Sequence, residues 1–201
     1  DDPVLVGRTA AERAVARLGG RKVRTGEYPV LFEASLAGGL LGSLVHAASG
    51  GALYRKSSFL LDSLGRQVFA PEVDIREEPH IPRARGSTPF DSDGVATHDR
   101  DVVIDGILNG YFLSSYTARK LGMQTTGNAG GSHNLVIRPG ELDRAGLLKA
   151  MNRGLLVTEL LGHGINYVTG DYSRGAAGFW VENGQIAHPV EEITIVGNLK
   201  D

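Results

Sequence analysis

Chemistry in this chain has to be sought among scattered histidines, two glycine-rich polar segments and one small basic patch. Zinc hydrolysis from a helix needs two imidazoles on one face and a carboxylate that handles the protons of the bound water. The six histidines, His46, His80, His98, His133, His163 and His188, include no pair at that spacing, which leaves open a site gathered from distant segments. No carboxylate pair and no Gly-x-Ser-x-Gly elbow stands out. Gly127-Asn128-Ala129-Gly130-Gly131 imitates a phosphate cradle but lacks the Lys-Ser/Thr of a P-loop, and the residues after it read as a strand, not a helix N-terminus. It is a tight connection or a ligand loop, with Asn128, Gly130 and Gly131 as the candidate contacts. Gly170 to Gly178 sets Asp171, Tyr172, Ser173 and Arg174 between glycines, as turn chemistry or as a binding rim. Arg174 can grip a carboxylate bidentately or pair with Asp171. Tyr54-Arg55-Lys56-Ser57-Ser58 is a basic patch, read either as solvated surface or as a contact for a partner or an acidic peptide. Ser87 to Gly94 is acidic and turn-rich but lacks EF-hand spacing and its closing Glu, so it reads as a structured loop.

The elements that must position these residues follow from periodicity. Thr9 to Leu18 has apolar residues at 10, 11, 14, 15 and 18 with Arg13 and Arg17 opposite, which predicts a helix capped by Thr9 and stopped at Gly19-Gly20. Tyr28 to Glu33 reads as a strand. Ser35 to Ser49 reads as a helix with Leu36, Leu40, Leu41, Leu44, Val45 and Ala48 on one face. Its other face, with Gly38, Gly39, Gly42, His46 and Ser49, would let a neighbouring backbone approach. Val102 to Leu113 is a hairpin turning at Asp105-Gly106. Tyr116 to Leu121 is a short helix ending at Gly122, Asn134 to Arg138 a strand, and Glu141 to Arg153 a helix stopped by Gly154. Leu155–Leu160, Tyr167–Thr169, Gly178–Val181, Gln185–His188 and Glu192–Val196 read as strands, with Asn183-Gly184 as a two-residue turn and Trp180 as a packing anchor first and an interface candidate second. Short turns between strands, with helices inserted between strand groups, predict an α+β fold around a largely antiparallel, barrel-like sheet.

Composition narrows the classes. At 201 residues the chain fits one domain or one and a half. Its 21 basic and 23 acidic residues give a net charge of −2, no electrostatic footprint for nucleic acid. No apolar run reaches membrane-spanning length and no signal-peptide pattern opens the chain, so no membrane contact is expected. The absence of cysteine excludes disulfides and thiolate ligands and fits the cytoplasm.

Longer motifs carry more. YRKSSFLLDSLG at Tyr54 to Gly65, STPFDSDGV at Ser87 to Val95, SSYTARKLG at Ser114 to Gly122, TGNAGGSHN at Thr126 to Asn134 and the whole run from Gly162 to Asp201 occur in one order. Together they closely resemble the C-terminal domain of the PmbA (TldE) branch of the TldD/PmbA family. That family contains a two-subunit bacterial peptidase, and PmbA is also described as a modulator of DNA gyrase. The resemblance implies one C-terminal TldD/PmbA-type domain over residues 1–201, belonging to a longer protein with an N-terminal domain and a short C-terminal segment.

The resemblance also implies that a TldD-type subunit carries a His-Glu-x-x-x-His zinc motif late in the helix matching Ser35 to Ser49. Here that place reads His46-Ala47-Ala48-Ser49-Gly50-Gly51, with Ala47 in place of the Glu and Gly51 in place of the second His. His46 is then a helix-surface or interface residue, with a vestigial or partner-completed metal position as the other reading, and this subunit is expected to have no catalytic residue and no cofactor of its own. Zinc is expected in a TldD-type partner, in a heterodimer, with a homodimer as the other possibility. The substrates implied are unfolded or small peptides, including precursor peptides and an antitoxin, held in extended form by strand addition. Two alternatives stay open: a self-sufficient zinc metallopeptidase of the same family, and a non-proteolytic regulator of DNA gyrase.

Overall fold

The computed structural model describes residues 2–201. In chain order its elements are α1 (Pro3–Ala16), β1 (Val30–Phe32), α2 (Ala34–Ala47), α3 (Gly50–Tyr54), β2 (Ile75–Glu77), β3 (Arg100–Ile104), β4 (Ile107–Leu108), α4 (Ser115–Leu121), β5 (Leu135–Ile137), α5 (Arg144–Met151), β6 (Gly154–Leu161), β7 (Asp171–Glu182) and β8 (Gln185–Asn198). They group into two compact units. The first comprises Asp1–Gly39, Glu141–Ile165 and Asp171–Gly197, the second Leu40–Gly140, Asn166–Gly170 and Asn198–Asp201.

The first unit is built on a four-stranded sheet of order β1-β6-β7-β8. β1 runs parallel to β6, with Leu31 opposite Leu156. β6 runs antiparallel to β7, with Leu155 opposite Trp180 and Leu156 opposite Phe179. The two-residue side-chain period sends alternate residues of β6 to opposite faces. Leu155 and Val157 join Trp180, Ala176 and Val190 in one apolar cluster, against which Tyr28, Val30 and Leu36 pack. Leu156 joins Leu148 and Val181 in the other. α5 starts at Arg144 rather than Glu141, because the Asp143 carboxylate caps it by accepting from the Gly146 amide at 2.7 Å.

α1 departs from the sequence expectation at its start. It begins six residues before Thr9, with Pro3 in its first turn and Asp2 as N-cap, the Asp2 side chain accepting from the Val4 amide at 2.9 Å. None of its residues is buried. What faces the sheet is the charged side: Arg13 pairs with Glu33 at 2.8 Å and Arg17 with Glu159. Val4 and Val15 are left 75% and 65% exposed.

The second unit carries an antiparallel sheet of order β4-β3-β2-β5. β3 and β4 meet through Asp105 and Gly106, both at positive φ, as the predicted two-residue turn requires. Ile75, Val102, Val103 and Leu108 are fully buried there beside Leu44, Ala47, Leu53 and Leu113. α4 is held at both ends: Ser114 and Thr117 form a capping box, and Gly122 closes it in the left-handed region.

The largely antiparallel α+β expectation holds, but the barrel-like form does not. Among the described residues each sheet is an open set of four strands with two ends that do not meet. Tyr167–Thr169 is a turn rather than a strand, because the Asn166 side chain accepts from the amides of Val168 and Thr169 at 3.0 and 3.4 Å. The segments around Gln185 and Glu192 are one strand, β8, continuing through Glu192 at φ 53°.

Candidate functional site

At the end of α2 the chain turns away just where a second metal ligand would be needed. Ala47 is fully buried in the core of the second unit, and its carbonyl accepts from the Ser58 hydroxyl at 2.5 Å. Ser49 then caps α3, accepting from the Ala52 amide at 3.3 Å and donating to the His46 carbonyl at 2.8 Å. The Gly50 amide donates to the Phe112 carbonyl at 2.9 Å. Gly51 therefore lies on a new helix rather than on a continuation of α2. His46 is exposed, and its ring lies over Tyr167 with centroids 4.0 Å apart. One solvent-facing imidazole, a core alanine and a glycine do not fit zinc, which takes at least three protein donors in a catalytic site. Among the described residues no group of three or more His, Cys, Asp or Glu side chains is gathered for a metal ion.

The Gly127–Gly131 segment belongs to a buried polar network. Asn128 is 5% exposed. Its amide nitrogen donates to Glu77 Oε1 at 2.8 Å and to the Gly131 carbonyl at 3.1 Å, while its oxygen accepts from Thr126 at 2.7 Å. Glu77 Oε1 also accepts from the His133 amide at 2.7 Å, and Oε2 from Arg100 Nε at 2.6 Å. Gly130 and Gly131 sit at φ 103° and 120°, conformations open to glycine and strained for other residues. They border a cavity of about 410 Å³ with Arg85, Ser87, Phe90 and His133. At its edge Asp91 is 5% exposed. Burial pushes its carboxyl up, but the amides of Ala129, Val95 and Asp93, helped by the charge of His133, hold it below the ordinary aspartate value.

The polar crossing at Gly170 to Gly178 is not a loop. Asp171 to Gly178 is the first half of β7, and strand alternation puts Tyr172 and Arg174 on one face and Asp171 and Ser173 on the other. Tyr172 is buried, whereas Asp171 and Ser173 are exposed. Burial pushes the Tyr172 hydroxyl up, opposed by the nearby charge of Arg174. The Arg174 Nε is buried without a hydrogen-bond partner. The Ser173 amide donates to the Gly164 carbonyl at 2.7 Å.

Sequence reasoning did not foresee a groove in the same unit. Residues 22–28 and Ile193 to Val196 of β8 enclose about 680 Å³. Tyr28 and Trp180 meet edge-to-face at 5.0 Å within its lining, and Lys22 pairs with Glu192 at 2.9 Å beside it. β8 ends the sheet. Apart from a bridge between Arg21 and Val190, no further strand pairs with its outer side among the described residues. The alternation at Ile193 and Ile195 announced a strand, but nothing local announced that it would be an edge.

Tyr54 ends α3, Arg55 caps it, and Lys56 follows at φ 55°. All three are exposed, and Tyr54 meets Tyr116 of α4. The structure thus distributes the sequence candidates among separate places. Tyr54 to Lys56 are on the surface, Asn128 is inside a network, Gly130 and Gly131 border a cavity, and Asp171 to Arg174 are on a strand.

Residues 25–201 match the PmbA/TldA metallopeptidase C-terminal domain. Metalloprotease PmbA of Escherichia coli O157:H7 is 55% identical over 199 residues, which are 99% of this chain and 44% of that protein. This chain therefore spans less than half the length of that relative. A proposed modulator of DNA gyrase from Bacteroides thetaiotaomicron VPI-5482 superposes with a TM-score of 0.92 at 36% identity, over 96% of this chain and 44% of that one. TldE from Thermococcus kodakarensis shares the fold, with a TM-score of 0.82 at 24% identity over 96% of this chain and 46% of its own.

Proposed function

This chain belongs to the PmbA/TldA metallopeptidase family, and we propose that it serves there as a PmbA/TldE-type subunit that does not itself cut peptides. A TldD-type subunit would supply the zinc and the hydrolysis, on unfolded or small peptides such as precursor peptides or an antitoxin, in the cytoplasm. The observation that carries this reading is Ala47. The position where the motif needs a proton-handling glutamate is occupied by a fully buried alanine, and Gly51 lies on a different helix from His46.

The chain's own task would be to hold substrate. An extended peptide can add to a sheet edge through backbone hydrogen bonds that tolerate any sequence. The outer side of β8 along the groove supplies such an edge, with Tyr28, Ile193 and Ile195 offering aromatic and apolar surface to a substrate side chain.

The test is cleavage of an unfolded peptide by the full-length protein, alone and mixed with a TldD-type subunit. Cleavage only in the mixture supports the accessory role. Stoichiometric zinc together with chelator-sensitive cleavage by the protein alone overturns it. The relatives named metalloprotease favour a second reading, in which the whole protein gathers its own metal site. His46→Ala separates the two, since only a self-sufficient enzyme that uses His46 would lose metal or activity.

A further inference from the structure

The basic patch read from the sequence is half of a larger surface that the fold assembles. α3 brings Tyr54 beside Tyr116 of α4, edge-to-face with centroids 6.1 Å apart and planes at 84°. A cation lies over each ring: Arg55 over Tyr54 at 5.6 Å and Lys120 over Tyr116 at 5.6 Å. Lys56 and Arg119 lie next to them in sequence. All six side chains are exposed. None of the four cations has a carboxylate within ion-pair distance among the described residues.

The frame beneath is tight. Gly50 approaches α4 so closely that a Cβ there would strike the Thr117 side chain, and Ser49 bridges to Phe112. The tyrosines are thus presented by two helices packed against each other, so little ordering entropy is lost when a ligand arrives.

We propose that this surface docks an acidic segment of an extended peptide. Arg55 and Lys120 engage its carboxylates from their places over the rings, with Lys56 and Arg119 adding charge around them. A cation held over an aromatic face keeps its outward donors free, and the guanidinium fork of Arg55 matches a carboxylate bidentately. Single-stranded nucleic acid fits less well. It needs open ring faces for base stacking, and here each ring already carries a cation. The inference concerns binding alone and does not depend on the peptidase reading.

Fluorescence anisotropy on the full-length protein tests it with three labelled probes: a Glu/Asp-rich peptide, its Gln/Asn counterpart and a single-stranded oligonucleotide. The acidic peptide is expected to bind about tenfold or more tightly than either other probe at low salt, weakening as salt rises. The double variant R55E/K120E should lose about tenfold or more in affinity for the acidic peptide, with an unchanged melting temperature as control for the fold. Tyr116→Ala should weaken binding less, by freeing Lys120 from its platform. Equal binding of the neutral peptide, undiminished binding by R55E/K120E, preference for the oligonucleotide, or no binding of the acidic peptide overturns the proposal.

Discussion

Arg100 donates its Nε to Glu77 Oε2 at 2.6 Å, with the Glu77 side chain 1% and the Arg100 side chain 12% exposed. The pair joins β2 to β3 in register, while the other Glu77 oxygen holds Asn128 and the His133 backbone. Removing one partner of such a pair strands the other charge away from water. Glu77→Ala is therefore expected to cost about 3–5 kcal/mol, read as a lower urea midpoint. The double variant E77L/R100M should recover part of that loss, because an apolar pair of similar volume leaves no stranded charge. A double variant as unstable as Glu77→Ala would count against this account.

Asp91 gives the fold an acid-sensitive joint. Its carboxyl is held below its ordinary value, so it contributes stability at neutral pH. That contribution disappears as pH falls from the unfolded-state value of about 3.9 through the lower folded one. Asp91→Asn loses an acceptor for the amides of Asp93, Val95 or Ala129. The variant should melt below the wild type at pH 7, and the gap should narrow below about pH 4. A gap that stays constant across this range contradicts the assignment.

Trp180 anchors the first unit and borders its groove. It is 6% exposed, with Tyr28 edge-to-face and Arg153 over its ring at 5.4 Å. Trp180→Ala should cost about 3–5 kcal/mol, measured by denaturant titration. Trp180→Phe keeps a ring for Tyr28 and should cost less.

What the sequence revealed divides along physical lines. Turns whose backbone demands particular residues were legible: Asp105-Gly106, Asn183-Gly184 and Gly122 all take the positive φ their residue types announced. Elements defined by partners were not. β2 escaped notice because Ile75-Arg76-Glu77 reads as charged, and Glu77 is buried only by virtue of Arg100. The first half of β7 looked like a loop because glycine and aspartate are poor strand formers. Yet Gly178 is small for a reason, since a Cβ there would strike the Leu156 carbonyl on β6. The helical period of α1 was legible from Thr9 onward, but its start was not, because the cap at Asp2 and the Pro3 of its first turn lie before the periodic apolar residues. Among the site residues, the departure of His46-Ala47-Ala48-Ser49-Gly50-Gly51 from a His-Glu-x-x-x-His pattern is visible in the sequence itself. The groove along β8 and the meeting of Tyr54 with Tyr116 depend on sheet order and helix packing, which no local pattern encodes.

If the end of α2 is unfit for zinc because of where its residues sit, then restoring the motif's letters should not restore a site. A47E/G51H places the carboxylate at a fully buried position inside an apolar core. Even as the neutral acid, a buried carboxyl without a partner costs roughly 2–7 kcal/mol. The new histidine would lie on α3, beyond the break at Ser49, in the space bordered by the Arg55 guanidinium, a poor neighbour for a cation. The expected outcome is a large fall in melting temperature and no zinc retained after dialysis, measured by metal analysis. Single Gly51→His should be milder, since Gly51 lies outside the core, and should likewise retain no metal. Stoichiometric zinc in a folded A47E/G51H protein would mean that α2 and α3 can realign into one helix, and that substitution alone separates this chain from a metal-binding relative.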